Sequence, residues 1–220
     1  MSRYVPFKLL RTPLLLIATV CLANPAATAL PATSADAVTV LETKMELRKL
    51  WVEHAFWIRS YVLATDAGDE AQREVAEAEV VNNAKALATT VTPFYGQAGA
   101  DGLLKLLAGH WTAVRDYNTA TVKHSKAAQD KSVQAITANA HEIAKFLSGA
   151  NPYLPEDAVF GLLAAHGAHH VAQIKEIAAN DFRGEAQTWQ AMRKHMLVIA
   201  DSITDALAKQ FPDQFHRSRT

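Results

Sequence analysis

The chain has 220 residues, 22 basic and 22 acidic side chains, 50% hydrophobic residues and a single cysteine. That length suits roughly one domain able to bury a core. The balanced charge argues against a basic footprint for nucleic acid, and one cysteine excludes a disulfide scaffold.

Arg3, Lys8 and Arg11 precede the apolar run Leu14 to Leu22 and the small-residue stretch Ala26-Ala27-Thr28-Ala29. This order reads as a signal peptide over 1–29, cut after Ala29, and the apolar run is too short to span a bilayer. Cys21 would leave with it, and Val20 is a poor fit to a lipoprotein site. Removing the three basic residues leaves 19 against 22 acidic ones, near −3 with histidine neutral. A soluble periplasmic or secreted protein is expected, with no membrane or nucleic-acid partner; no protein partner can be named.

Residues 30–40 read as a flexible mature N-terminus. From Leu47 onward, apolar residues recur at three- and four-residue intervals among helix formers. Turn and stop residues fall at Thr65 to Asp69, Thr92 to Gly96, Lys123 to Ser125, Gly149 to Pro155, Asn180 to Gly184 and Phe211-Pro212. The expected fold is all-α, an up-and-down bundle of six helices over 41–215, followed by a tail at 216–220.

A shift of 56 residues aligns the helices without gaps. Leu50, Leu106 and Leu162 coincide, as do Trp51, Leu107 and Leu163, and His54, His110 and His166. On the alternate helices Val80, Ile136 and Met192 coincide, as do Asn83, Asn139 and His195. Three tandem helix hairpins of about 56 residues follow, at about 41–96, 97–152 and 153–212. Whether six helices close into one ring or split into a four-helix bundle with a flanking pair stays open at this level.

In antiparallel helices, residues equidistant from the intervening turn share a height. The pair His54 and Asn83 has its midpoint at 68.5, and Asn83 with His110 at 96.5. The pairs that follow, up to His166 with His195, centre at 124.5, 152.5 and 180.5. Each midpoint lies in or beside a turn, so all six side chains are expected in one layer. Each histidine of the odd helices is four residues from an apolar neighbour on the same face, and His166 is also four from His170.

Buried polar groups need partners. One reading is a metal site of His54, His110, His166, His170 and His195, because imidazole is a borderline ligand and bundle interiors build such sites from facing helices. Zinc, copper or nickel suits all-nitrogen donors, and no Glu-x-x-His pair supports a di-iron site. The other reading is a metal-free structural or interaction module in which Asn83 and Asn139 bond the histidines and fix helix register. A catalytic or small-ligand pocket is a third, but no nucleophile-and-base set, phosphate loop or paired carboxylates can be read, so a non-enzymatic binding role is expected.

Glu53 and Glu142 are candidate orienting partners for the imidazoles, against a solvated role. Arg59 and Arg115 are candidates for an anion pocket, against stems packed on aromatic rings. His124 and His216 fall in a turn and the tail and receive no role, while His141 and His169 read as surface residues.

From Leu50 onward the chain resembles an uncharacterised bacterial family of helical proteins, exported and cell-associated, with no established activity. The resembling stretches are Leu50 to His54 with Trp57 and Arg59, Tyr95-Gly96, Leu106-Leu107 with His110, and Asn139 through Glu142-Ile143-Ala144 to Phe146-Leu147. Asn151-Pro152, His195, Ala200-Asp201 and Gln210-Phe211-Pro212 complete them. The second helix departs from the family, reading Asn82-Asn83-Ala84 where Asn-Gln followed by Ile-Gly is usual. The resemblance implies the fold and the repeated histidines, and no reaction.

Overall fold

A computed structural model of the chain describes residues 39–215. The expected signal peptide, nearly all of the flexible N-terminus and the 216–220 tail lie outside the described residues. Six α-helices are present and the described residues contain no strand: α1 (Val40–Ala67), α2 (Glu70–Thr89), α3 (Thr92–Val122), α4 (Lys126–Ala150), α5 (Glu156–Ala178) and α6 (Phe182–Gln210), with a 3-10 turn at Pro212–Gln214. None of the described helices is long and apolar enough to cross a membrane.

Local chemistry sets the helix ends. Thr39 and Glu42 form a reciprocal capping box at the start of α1, with the Thr39 hydroxyl accepting from the Glu42 amide at 3.1 Å. Asp69 and Asp181 cap α2 and α6 through the amides of Gln72 and Gly184. The turns around Gly68, His124 and Asn180 thus fall within the breaks that the sequence puts there, with 65–67 and 182–184 themselves helical. The expected break at Thr92 to Gly96 is narrower than that, because Thr92 to Tyr95 make a helical turn and the chain departs from helical geometry only at Gly96 (φ 68°, ψ −177°).

The three tight turns share one hydrogen-bond pattern. The Asp69 amide donates to the Ala64 carbonyl at 2.9 Å and Gly68 to Thr65 at 3.2 Å. Ser125 donates to Ala120 at 2.9 Å and His124 to Thr121 at 3.0 Å; Asp181 donates to Glu176 at 2.8 Å and Asn180 to Ile177 at 2.9 Å. Each is a Schellman closure, which needs a left-handed residue after the helix. Gly68, His124 and Asn180 supply it at φ 69°, 51° and 58°. Glycine does so without steric cost, whereas a side chain at this position costs about 1 kcal/mol.

Each helix packs against its neighbours in the chain, and α6 returns to pack on α1. The six helices therefore close into a ring, which decides the question that the sequence left open. Contacts of α5 with α1 and α3 cross the interior, so the odd-numbered helices meet inside. Lys44 pairs with Asp205 at 2.8 Å and Arg48 with Asp201 at 2.6 Å along the α1–α6 seam.

Two apolar clusters fill the ring. One holds Leu47, Leu50, Trp51, Leu103, Leu107, Leu163 and Ile199, and the other Ile58, Val62, Val80, Val114, Tyr117, Ile174 and Ile177. Burying each large aliphatic side chain contributes about 2 kcal/mol. On α1, α3 and α5 the residues that separate the two clusters are the buried histidines.

Candidate metal centre

His54 on α1, His110 on α3, and His166 and His170 on α5 are all buried, with exposures of 6% or less. One ring nitrogen of each lies within 4.8 Å of those of the other three. The first three form a near-equilateral triangle: ring centroids are 5.7 Å apart for His54 and His110, 5.4 Å for His54 and His166, and 5.2 Å for His110 and His166. His170, one turn beyond His166, has the place that Ile58 and Val114 take on the other two inner helices.

The His166 and His170 Nε2 atoms are 3.2 Å apart. Two nitrogens bound to one tetrahedral zinc at about 2.0–2.1 Å would be about 3.3 Å apart. The spacing therefore fits an edge of a coordination polyhedron as well as a hydrogen bond. Both ring nitrogens of His54, Nε2 of His110 and Nδ1 of His166 are buried with no hydrogen-bond partner. An ion takes one nitrogen from each ring, so a metal held on the His166–His170 edge would satisfy Nε2 of His110 and one nitrogen of His54, groups that are otherwise costly to bury. The small cavity between Trp51, His54, Leu107, His110, Leu163 and His166 has a volume of about 10 Å³, room for one ion or one water and for no organic ligand.

Burial holds the four imidazoles neutral. It lowers His54 from 6.5 to about 3, with His110 adding to the effect and the Asn83 carboxamide opposing it, and lowers His110 to about 4. His166 and His170 are driven well below the ordinary value, by burial first and then by the surrounding imidazoles. A neutral imidazole keeps the lone pair that a metal needs. Packing orients the rings: Trp51 stands edge-on to His54 and to His166.

The expected layer of six separates into two parts. The Nδ2 groups of Asn83 and Asn139 donate to the backbone carbonyls of Leu50 and Leu106, each at 3.0 Å, and of the two only Asn83 also acts on a central imidazole, that of His54. His195 does the same, with Nε2 at 2.8 Å from the Leu162 carbonyl. A carbonyl only accepts, so His195 carries its proton on Nε2. All three bonds span 33 residues and clip an even helix to the odd helix before it. His195 thus stands apart from the four-histidine group, with its ring 5.4 Å from that of the half-buried His169. The sequence held a signal for this, since His195 occupies the position of Asn83 and Asn139 in the 56-residue register.

The remaining candidates also lie away from the four histidines. Glu142 is exposed, and the half-buried Glu53 places its charge beside Lys49. Arg59 forms a two-pronged ion pair with Glu185, at 2.5 and 2.8 Å, and its guanidinium lies over the Trp189 ring. Glu185 is only 3% exposed and also accepts from Gln173 at 3.0 Å; sequence reasoning missed both residues. Arg115 pairs with Glu77 at 3.1 Å. Both arginines therefore tie an odd helix to the even helix on its other side. His141 is exposed and stacks on Phe160.

No protein-family model matches the chain, and no similar curated protein or solved structure is found. Its function is therefore argued from this centre.

Proposed function

We propose that the chain is an exported protein of three tandem 56-residue hairpins that binds one transition-metal ion through His54, His110, His166 and His170, without catalysis. The observation that carries the reading is the meeting of four buried imidazoles, each with a ring nitrogen within ligand reach of one ion. In support of the tandem hairpins stand the turns at 68, 124 and 180 and the clips from Asn83, Asn139 and His195, which repeat one geometry. Neutral nitrogen donors favour zinc, copper or nickel.

The clips also favour a second reading, a metal-free module whose polar residues set helix register. They leave the four central imidazoles unexplained, because register is already fixed by bonds to backbone carbonyls. Elemental analysis of protein purified without an affinity tag, followed by titration of the chelator-stripped form with zinc, copper and nickel, separates the two readings. One equivalent of metal, lost in His110→Ala with His166→Ala and kept in His195→Ala, is expected. No binding at micromolar metal sinks the metal reading and leaves the structural one.

A further inference from the structure

Above the four histidines, toward the α2–α3 and α4–α5 connections, lies a second cavity of about 40 Å³ with almost wholly apolar walls. Trp51, Leu107, Leu163 and Ile143 line both it and the small histidine cavity. The first three precede His54, His110 and His166 by three residues each, so they form a collar between the two spaces. A further apolar cavity of about 40 Å³ adjoins it, sharing Val91, Leu103, Leu147, Leu154 and Ile203 with the first and bordered by the half-buried Tyr95.

Size and polarity select the occupant. Water needs about 10–15 Å³ and two to four polar partners, and cavities without such partners stay dry and take up apolar guests. Benzene fits a cavity of about 150 Å³, which exceeds the space here. The collar has one polar group to offer: the indole Nε1–H of Trp51, a residue 7% exposed, is buried without an acceptor. A buried indole normally finds one.

We propose that this passage admits an uncharged diatomic molecule, of the size of dioxygen or nitric oxide, to the four-histidine centre, with Trp51 as gate and hydrogen-bond donor. Delivery to a metal rests on the metal reading above; occupation of the passage does not.

The test uses the full mature chain and two probes. Xenon saturation, followed by methyl NMR, should produce saturable shifts at Leu103, Leu107, Leu147 and Ile203. Leu147→Phe, which fills the passage from a partly exposed position, should weaken xenon binding at least tenfold; Ile203→Phe does the same if Leu147→Phe fails to fold. Benzene should bind Leu103→Ala and not the parent. Absence of saturable shifts, or shifts indifferent to both fillings, overturns the passage. Protein loaded with cobalt(II) is then exposed to nitric oxide. Changed cobalt absorption bands that develop at least tenfold more slowly in Leu147→Phe support delivery, and bands insensitive to the gas overturn it. Failure to bind cobalt, zinc, copper or nickel removes the metal reading and delivery together, while the xenon result still decides the passage.

Discussion

Lowering the pH from 7.5 to 5.5 should destabilise the metal-free protein by about 5 kcal/mol. Unfolded, each of the four central histidines titrates near 6.5; folded, His54 titrates at about 3 and His110 at about 4, with His166 and His170 also well below 6.5. A base whose folded value is depressed gives its full stability above the unfolded value and loses it as the pH falls below that value, because only the unfolded chain takes up the proton. At pH 5.5 the unfolded chain gains about 1.4 kcal/mol per histidine over its state at pH 7.5, and the four together, about 5 kcal/mol, match the stability of a marginal domain. Urea titrations followed by helical circular dichroism, with a chelator present and at several pH values in this window, give the slope. His170→Val, which copies Val114 at the matching position of α3, should remove about a quarter of it. A total change under about 1 kcal/mol, or a His170→Val slope equal to that of the parent, would refute the claim that these imidazoles are buried and neutral.

The left-handed turn residues make an internal comparison: His124→Gly should raise stability by about 0.5–1 kcal/mol and Gly68→Ala should lower it by about 1 kcal/mol, read as opposite shifts of the thermal midpoint. Glu185→Ala leaves Arg59 and Gln173 facing an empty partner position inside the α1–α6 seam. A loss of about 2–4 kcal/mol in urea melts is expected, with no change in metal stoichiometry. Asn139→Ala removes the donor to the Leu106 carbonyl and should cost about 1–3 kcal/mol. It too should leave one equivalent of metal bound, as elemental analysis would show, whereas a bound-metal deficit would make Asn139 part of the centre.

The 56-residue register of Leu50, Leu106 and Leu162 and the periodic apolar faces made the helices and most turns legible, because both depend on local chemistry. His54, His110 and His166 were legible for the same reason, each lying on an apolar face at one height, and His170 because it shares the face of His166 one turn on. What could not be read was the split between odd and even helices. Height matching says that Asn83 and His54 share a level, but not that Asn83 reaches sideways to the Leu50 carbonyl while His54 points inward. That distinction depends on where each helix stands in the closed ring, which is set by the α6–α1 return. The partnership of Arg59 with Glu185 was hidden for the same reason, as the two residues are 126 positions apart. His124 gave no sign because histidine is an unusual left-handed residue, although Gly68 and Asn180, 56 residues to either side, occupy the matching positions.

Because α6 lies along α1, with Lys44 against Asp205, the first and last helices are joined much as consecutive helices are. The order of the helices is then a matter of where the backbone happens to be cut. A circular permutant with a short linker joining Phe215 to Thr39, and with new ends opened at the exposed His124–Ser125 turn, should assemble the same histidine group.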